Sequence, residues 1–157
     1  MCHLFPGFSG LLTGIGIFLG LMLFISSLTP AGAFTFEPQN RPGAFEARLA
    51  TYMRAGEYIV GIATGSIVLL VGASGLHSTG HLPWRYASPL VLLTFTVIYG
   101  VLFMALLAYN YEMFLHGNAY TRFRYVRNQS LGFSALACFC AGYAWLVVSI
   151  IVEMTRP

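Results

Sequence analysis

The histidines are the side chains of this sequence best suited to binding a metal or a pigment. His77 and His81 lie four positions apart between two apolar runs. Such a pair can share a ligand on a helix, but Gly80 and Pro83 disfavour a long helix here. No third ligand lies close in the sequence. We retain His77 and His81 as candidate cofactor-binding residues, with an ordinary interfacial polar position as the alternative, and we assign no cofactor and no metal.

The carboxylates offer little support for catalysis or ion coupling. Glu57, Glu112 and Glu153 fall at the ends of predicted helices, where water or lipid headgroups can hydrate them. Ion-coupled carriers usually place ionisable groups inside their spans, and no such group lies well inside an apolar run. The sequence also lacks a nucleophile elbow, a phosphate-binding loop and paired carboxylates. We therefore predict no catalytic residue and do not expect an enzyme.

The cysteines do not form a recognisable redox or metal motif. Three cysteines are too few for a disulfide framework. Cys138 and Cys140 lie in one apolar run, and two helical residues at this spacing point about 200° apart. They therefore cannot share a metal, and we expect them to act as small hydrophobic side chains.

The composition is that of a membrane protein. Of the 157 residues, 57% are hydrophobic and 8% are charged, as eight Arg and five Glu. A soluble domain carries about 25% charged residues, so an ordinary soluble surface is excluded. The net charge of +3 is small and dispersed, which argues against a nucleic-acid partner.

Four apolar runs are long enough to cross a bilayer. Roughly 20 apolar residues in a helix span the ~30 Å hydrocarbon core, and backbone groups in lipid require internal hydrogen bonds. The sequence therefore predicts an all-α polytopic membrane protein, one domain over residues 1–157 with four transmembrane helices. The predicted spans are residues 8–28, 58–74, 88–110 and 131–152.

A short amphipathic segment precedes the second span. Phe45, Leu49, Tyr52 and Met53 share one helical face, while Arg54 points away. This pattern is typical of a helix lying at the membrane interface. The alternative is that these residues form the first turns of the second span.

Small residues recur on one face of three spans. Such faces allow two membrane helices to approach closely, and Gly61 and Gly65 form a GxxxG motif. For this motif we favour contact within the chain over homodimerisation. The predicted helix-packing glycines are Gly16 and Gly20 in the first span, Gly61, Gly65 and Gly72 in the second, and Gly142 in the fourth, where Ala135, Cys138 and Ser149 share its face.

The arginines indicate both an interaction site and an orientation. Arg122, Arg124 and Arg127 stand among aromatic residues beside the fourth span, and Trp84 flanks the third. These residues are candidates for contact with anionic lipid or a partner, and the alternative is that the arginines only set the topology. Six arginines on one side of the membrane against two on the other predict that both termini are non-cytoplasmic.

The expected membrane is a bacterial cytoplasmic membrane.

The first span is followed by an Ala-x-Ala sequence typical of signal-peptidase sites, Ala31 to Ala33. No Lys or Arg precedes the span, so we predict a retained transmembrane helix.

These features favour a non-catalytic role. The sequence predicts a small integral membrane subunit that packs within a larger membrane protein complex, with other integral membrane subunits and lipids as partners. The alternative is a small oligomeric transporter or channel, with Gly and Ser/Thr faces lining its pathway and Glu57 or Glu112 at its mouth.

Overall fold

The structure is a computed structural model of the chain. Within the residues that it describes, the chain forms four α-helices and no strand. The described residues are 6–29, 42–76, 86–116 and 121–155.

Each helix contains an apolar segment long enough to cross a membrane. The chain is therefore an all-α polytopic membrane protein with four transmembrane helices, as the sequence predicts. The helices are α1 (Pro6–Leu28), α2 (Pro42–Leu76), α3 (Ala87–Leu115) and α4 (Arg122–Met154).

Helix α2 begins well before the predicted second span. It is one continuous helix of 35 residues, about 52 Å long at 1.5 Å per residue, and so exceeds the bilayer core. Pro42 can open it because the first helical residue needs no backbone N–H donor. Residues 45–57 are therefore the first turns of α2, and the structure does not separate an interfacial helix from the span.

The predicted spans 88–110 and 131–152 leave residues 111–130 between them, and in the structure helices cover both ends of this stretch. Helix α3 continues to Leu115, and α4 already begins at Arg122. Thr121 has an extended backbone and its hydroxyl accepts a hydrogen bond from the Arg124 N–H at 3.4 Å. This N-cap starts α4 ahead of its apolar run. The three predicted arginines accordingly lie on the first two turns of a helix.

The antiparallel pair of α3 and α4 forms the centre of the fold. Gly132 of α4 faces Phe103, and Gly142, further along α4, faces Leu93. Helix α1 packs on both central helices, whereas α2 packs mainly on α3 and touches α4 only slightly. In the described part of the chain α1 and α2 do not contact each other, because α3 and α4 lie between them.

An aromatic cluster attaches α1 to this centre. The ring centroid of Tyr99 lies 5.5 Å from that of Phe18 and 5.4 Å from that of Phe95. The Tyr99 hydroxyl donates a hydrogen bond to the Gly14 carbonyl at 3.2 Å. Tyr99 thus satisfies its polar atom while its ring remains in the apolar core.

Candidate functional site

The small-residue face of α4 lies inside the molecule. Ala135 and Cys138 are buried, and a Cβ atom added to Gly142 would lie 3.3 Å from the side chain of Leu93. The same Cβ would lie 3.4 Å from Leu92. The small residues of α4 therefore make room for the leucines of α3, and this face is the α3–α4 interface.

The glycine face of α2, formed by Gly61, Gly65 and Gly72, lies on the outside. A Cβ atom added to any of these glycines would meet no described atom within 4 Å. At 100° per residue they project about 140–180° away from Gly56, and Gly56 faces Met104 of α3 at 3.0 Å. The glycine face of α2 is therefore turned away from α3.

Helix α1 also carries glycines on two opposite sides. Gly10 and Gly14 face α3, where a Cβ on Gly10 would lie 2.8 Å from the Ser88 carbonyl oxygen and one on Gly14 would overlap Phe95. Gly16 and Gly20 meet nothing within 4 Å among the described residues. The second pair therefore forms another outer glycine face.

The interpretation that Gly61, Gly65 and Gly72 pack within the chain finds no contact in the described structure. Gly16 and Gly20, also predicted to pack, likewise contact no described atom, and the assignment of all five glycines to helix packing stays a prediction. Most glycines that do pack inside were missed from the sequence. Gly10 and Gly14 carry a detectable signal, the same GxxxG spacing as Gly16 and Gly20 and as Gly61 and Gly65. Gly56, Gly100 and Gly132 are isolated, and only the facing side chains reveal their role.

Asn110 is buried within α3, although the sequence places it at a helix margin. It is 2% exposed, and neither its amide nitrogen nor its amide oxygen has a hydrogen-bond partner among the described residues. The hydroxyl of buried Ser134 is likewise unpaired in this part of the chain. By contrast, buried Thr96 and Ser130 donate to carbonyls of their own helices, at 3.1 and 2.7 Å. Burying an unpaired polar group costs about 1–3 kcal/mol.

The arginines of α4 make different contacts. Arg122 donates from Nη2 to the Ser26 carbonyl, near the end of α1, at 2.7 Å. The guanidinium of Arg127 lies 5.8 Å from the centroid of the Phe123 ring, and its Nε is buried without a hydrogen-bond partner among the described atoms. None of Arg122, Arg124 and Arg127 forms an ion pair with a described carboxylate.

The remaining candidates are dispersed. Glu57 is exposed but lies inside α2 rather than at its end, because α2 begins at Pro42. Glu112 is exposed near the end of α3, where its carbonyl is 2.8 Å from Nδ1 of His116. Glu153 lies in the last turns of α4.

Two of the predicted binding features fall outside the described residues. These are the histidine pair, His77 and His81, and the interfacial Trp84. The described residues contain no group of three metal-ligating side chains. Cys138 is buried and Cys140 exposed, so the two cysteines face in different directions as predicted.

Within the described part of the chain, two grooves run between helices. One of about 190 Å³ lies among α2, α3 and α4, with Gly56, Phe103 and Gln129 in its wall. The other, of about 470 Å³, lies between α1 and α4 and ends at Arg122. Apolar side chains form most of both walls.

Comparison of the chain with protein-family models, with curated proteins and with solved structures finds no match.

Proposed function

We propose that this protein is a small integral membrane subunit, and that the glycine face of α2 receives a transmembrane helix of a larger membrane protein. The observation that supports the proposal is the open space in front of Gly61, Gly65 and Gly72. Glycines on one side of a membrane helix let a second backbone approach closely enough for dense van der Waals contact.

The surroundings of this face favour a helix as its occupant. Tyr58 and Leu69 are 71% and 73% exposed and project beside the glycines, with Val68 on the other side. These larger side chains form ridges that border a shallow furrow. Lipid chains need no such furrow, whereas a helix can place its own ridge between the flanking side chains.

Two outer faces favour a different protein over a second copy of this chain. The α2 face and the Gly16–Gly20 face of α1 belong to helices that α3 and α4 keep apart. A two-fold dimer uses one self-complementary patch and would cover only one of the faces. If the α1 face of one copy instead packed on the α2 face of the next copy, the contact would repeat and give a ring or an open filament of this protein. A position between larger subunits covers both.

The orientation is part of the proposal. Helices α1 and α4 meet where Arg122 reaches Ser26, so the end of α1 and the arginine-rich start of α4 lie on the same side. The positive-inside rule places this side in the cytoplasm. Both termini are then non-cytoplasmic, and the proposed membrane is a bacterial cytoplasmic membrane.

The alternative function, an oligomeric transporter or channel, requires a polar path through the membrane. The two described grooves are lined mainly by apolar side chains. No contact in the described structure favours this alternative, and it remains an outcome of the same experiment.

The proposal is tested by extracting the tagged protein gently from its native membrane and analysing native-gel bands by mass spectrometry. The wild type should migrate in constant stoichiometry with one or more larger membrane proteins. The double variant Gly61→Leu/Gly65→Leu should lose that complex by on the order of tenfold, equivalent to about 1.4 kcal/mol, because leucine side chains fill the furrow.

The control is Thr64→Leu, an enlargement of an exposed residue that projects about 80° from the middle of the glycine face of α2. It should keep the complex. Migration of the wild type alone or as a homo-oligomer would contradict the proposal. So would a complex that survives the double glycine variant unchanged.

A further inference from the structure

We propose that the groove between α1 and α4 binds an anionic phospholipid. In this arrangement an acyl chain lies along the groove, and the lipid phosphate contacts Arg122 and Arg127. The inference does not depend on the proposed partner helix, because the glycine face of α2 takes no part in it.

The groove has the size and the walls that an acyl chain requires. Its volume is about 470 Å³, and it follows the last turns of α1 beside the first turns of α4. Leu19, Met22 and Leu23 form one wall, and Phe123 and Val126 form the other. Leu23 is 74% exposed, so a chain entering from the bilayer meets an apolar surface along its length.

The polar end of the groove is cationic. Arg122 lines the groove and uses one N–H in the 2.7 Å hydrogen bond to Ser26. A guanidinium has five N–H donors, so the others remain available to phosphate oxygens. Arg127 does not itself line the groove, but its guanidinium lies 5.8 Å from the ring centroid of Phe123, which does. The buried Nε of Arg127 has no hydrogen-bond partner among the described atoms.

The positive charges of Arg122 and Arg127 at this end of the groove favour an anionic ligand. Neither arginine is paired with a described carboxylate. Glu112, on the neighbouring helix α3, is exposed and forms no ion pair with the described arginines. Arginines bind phosphate through short charge-assisted hydrogen bonds. Near a membrane surface each such cation increases the affinity for anionic lipid about fivefold.

A lipid accounts for the groove better than a free anion does. Inorganic phosphate or a soluble phosphate ester would use the arginines and leave the apolar walls unoccupied. A zwitterionic lipid would fill the walls but would bring no net charge to the two cations. An anionic phospholipid uses both parts of the groove.

The first test is native mass spectrometry of the purified protein in detergent. The full-length protein is titrated with phosphatidylglycerol and, separately, with phosphatidylcholine of the same acyl chains. We expect tighter binding of phosphatidylglycerol. Arg127→Gln should weaken it about fivefold and Arg122→Gln/Arg127→Gln by on the order of tenfold or more.

The matched control for charge is Arg54→Gln. Arg54 is exposed on α2 and does not line the groove, so its loss should leave lipid binding within about twofold. Arg122 also stabilises the end of α1 through Ser26. If the double variant fails to fold, phosphatidylglycerol binding by the single variant Arg127→Gln therefore tests the contribution of charge.

The second test addresses the apolar wall. Leu23→Trp should fill the groove and reduce phosphatidylglycerol binding, whereas Leu69→Trp on α2 should not. These residues form a matched pair, with exposures of 74% and 73%. An excess of glycerol phosphate should fail to displace the lipid.

Three results would overturn the inference. The first is equal binding of the two lipids, and the second is an effect of Arg54→Gln as large as that of Arg127→Gln. The third is displacement by glycerol phosphate together with no effect of Leu23→Trp, which would show a site for a free anion.

Discussion

The small-residue face of α4 and the glycine face of α2 resemble each other in the sequence but differ in the structure. A Cβ atom added to Gly142 of α4 would lie 3.3 Å from the side chain of Leu93. A Cβ atom added to Gly65 of α2 would meet no described atom within 4 Å. The difference teaches that small residues mark a surface where a helix can approach closely. They do not say whether that helix belongs to the same chain.

The reason for the difference lies in the neighbouring helix. Helix α3 presents Leu92 and Leu93 to α4, so the small residues of α4 receive large side chains. Between α2 and α3 the fit is mutual, because Val60 of α2 projects onto Gly100 of α3 while Met104 of α3 lies against Gly56 of α2. Since α2 fits α3 with this other side, its glycine face is turned away from the described helices.

The sharpest test of the comparison is a matched pair of glycine substitutions. Gly142→Leu should destabilise the fold by about 3 kcal/mol, because the new side chain must displace Leu93 from a packed interface. Gly65→Leu should change stability by less than about 0.5 kcal/mol, as expected for an exposed site. Reversible unfolding of the purified protein in mixed micelles gives both values.

Equal effects of the two substitutions would break the distinction between an inner and an outer face. A large loss for Gly65→Leu in the isolated protein would show that α2 packs within the chain after all. A neutral Gly142→Leu would remove the close contact of α4 with α3.

A smaller effect is expected at Asn110, a buried polar residue of α3. Its amide is buried without a hydrogen-bond partner among the described residues. Asn110→Leu should therefore raise the free energy of unfolding by about 1 kcal/mol, because the cost of burying an unpaired amide is removed. The same unfolding assay measures it, and Thr96→Val, which removes a paired hydroxyl, is the control.

A decrease in stability of more than about 1 kcal/mol on Asn110→Leu would show instead that the amide is hydrogen-bonded in the membrane.

The smallest effect is expected where α2 meets α4. Ser66 and Tyr143 share a hydrogen bond between these helices, and such bonds contribute about 0.6 kcal/mol on average in membrane proteins. Tyr143→Phe should lower stability by about that amount, and Tyr58→Phe, at an exposed position of α2, should leave it unchanged. A loss several times larger would mean that α2 is attached to α4 as firmly as to α3.

The sequence predicts the helices well where the chain lies in the bilayer and less well beyond it. Hydropathy places both ends of α1 and the start of α3 within two residues, because these ends coincide with the ends of apolar runs. It starts α2 and α4 too late, since a helix can continue into the aqueous region when Pro42 or Thr121 supplies a suitable first turn.

The candidate surfaces are harder to predict, for a physical reason. Periodicity shows which residues share a face of one helix, as it does for Gly61 and Gly65. It does not show which neighbour that face meets, because this depends on the shapes of the other helices. The burial of Asn110 was missed for a related reason, since α3 continues past the apolar run that ends near it.

The most direct measurement of the central claim is photo-crosslinking in the intact native membrane. A photoreactive amino acid is placed at Val68, which borders the glycine face of α2, and at Leu102 of α3 as an exposed control. We predict a discrete adduct with one larger membrane protein from position 68 and none from position 102. Adducts from position 68 that contain only lipid, or only a second copy of this chain, would contradict the claim that another protein's helix covers this face.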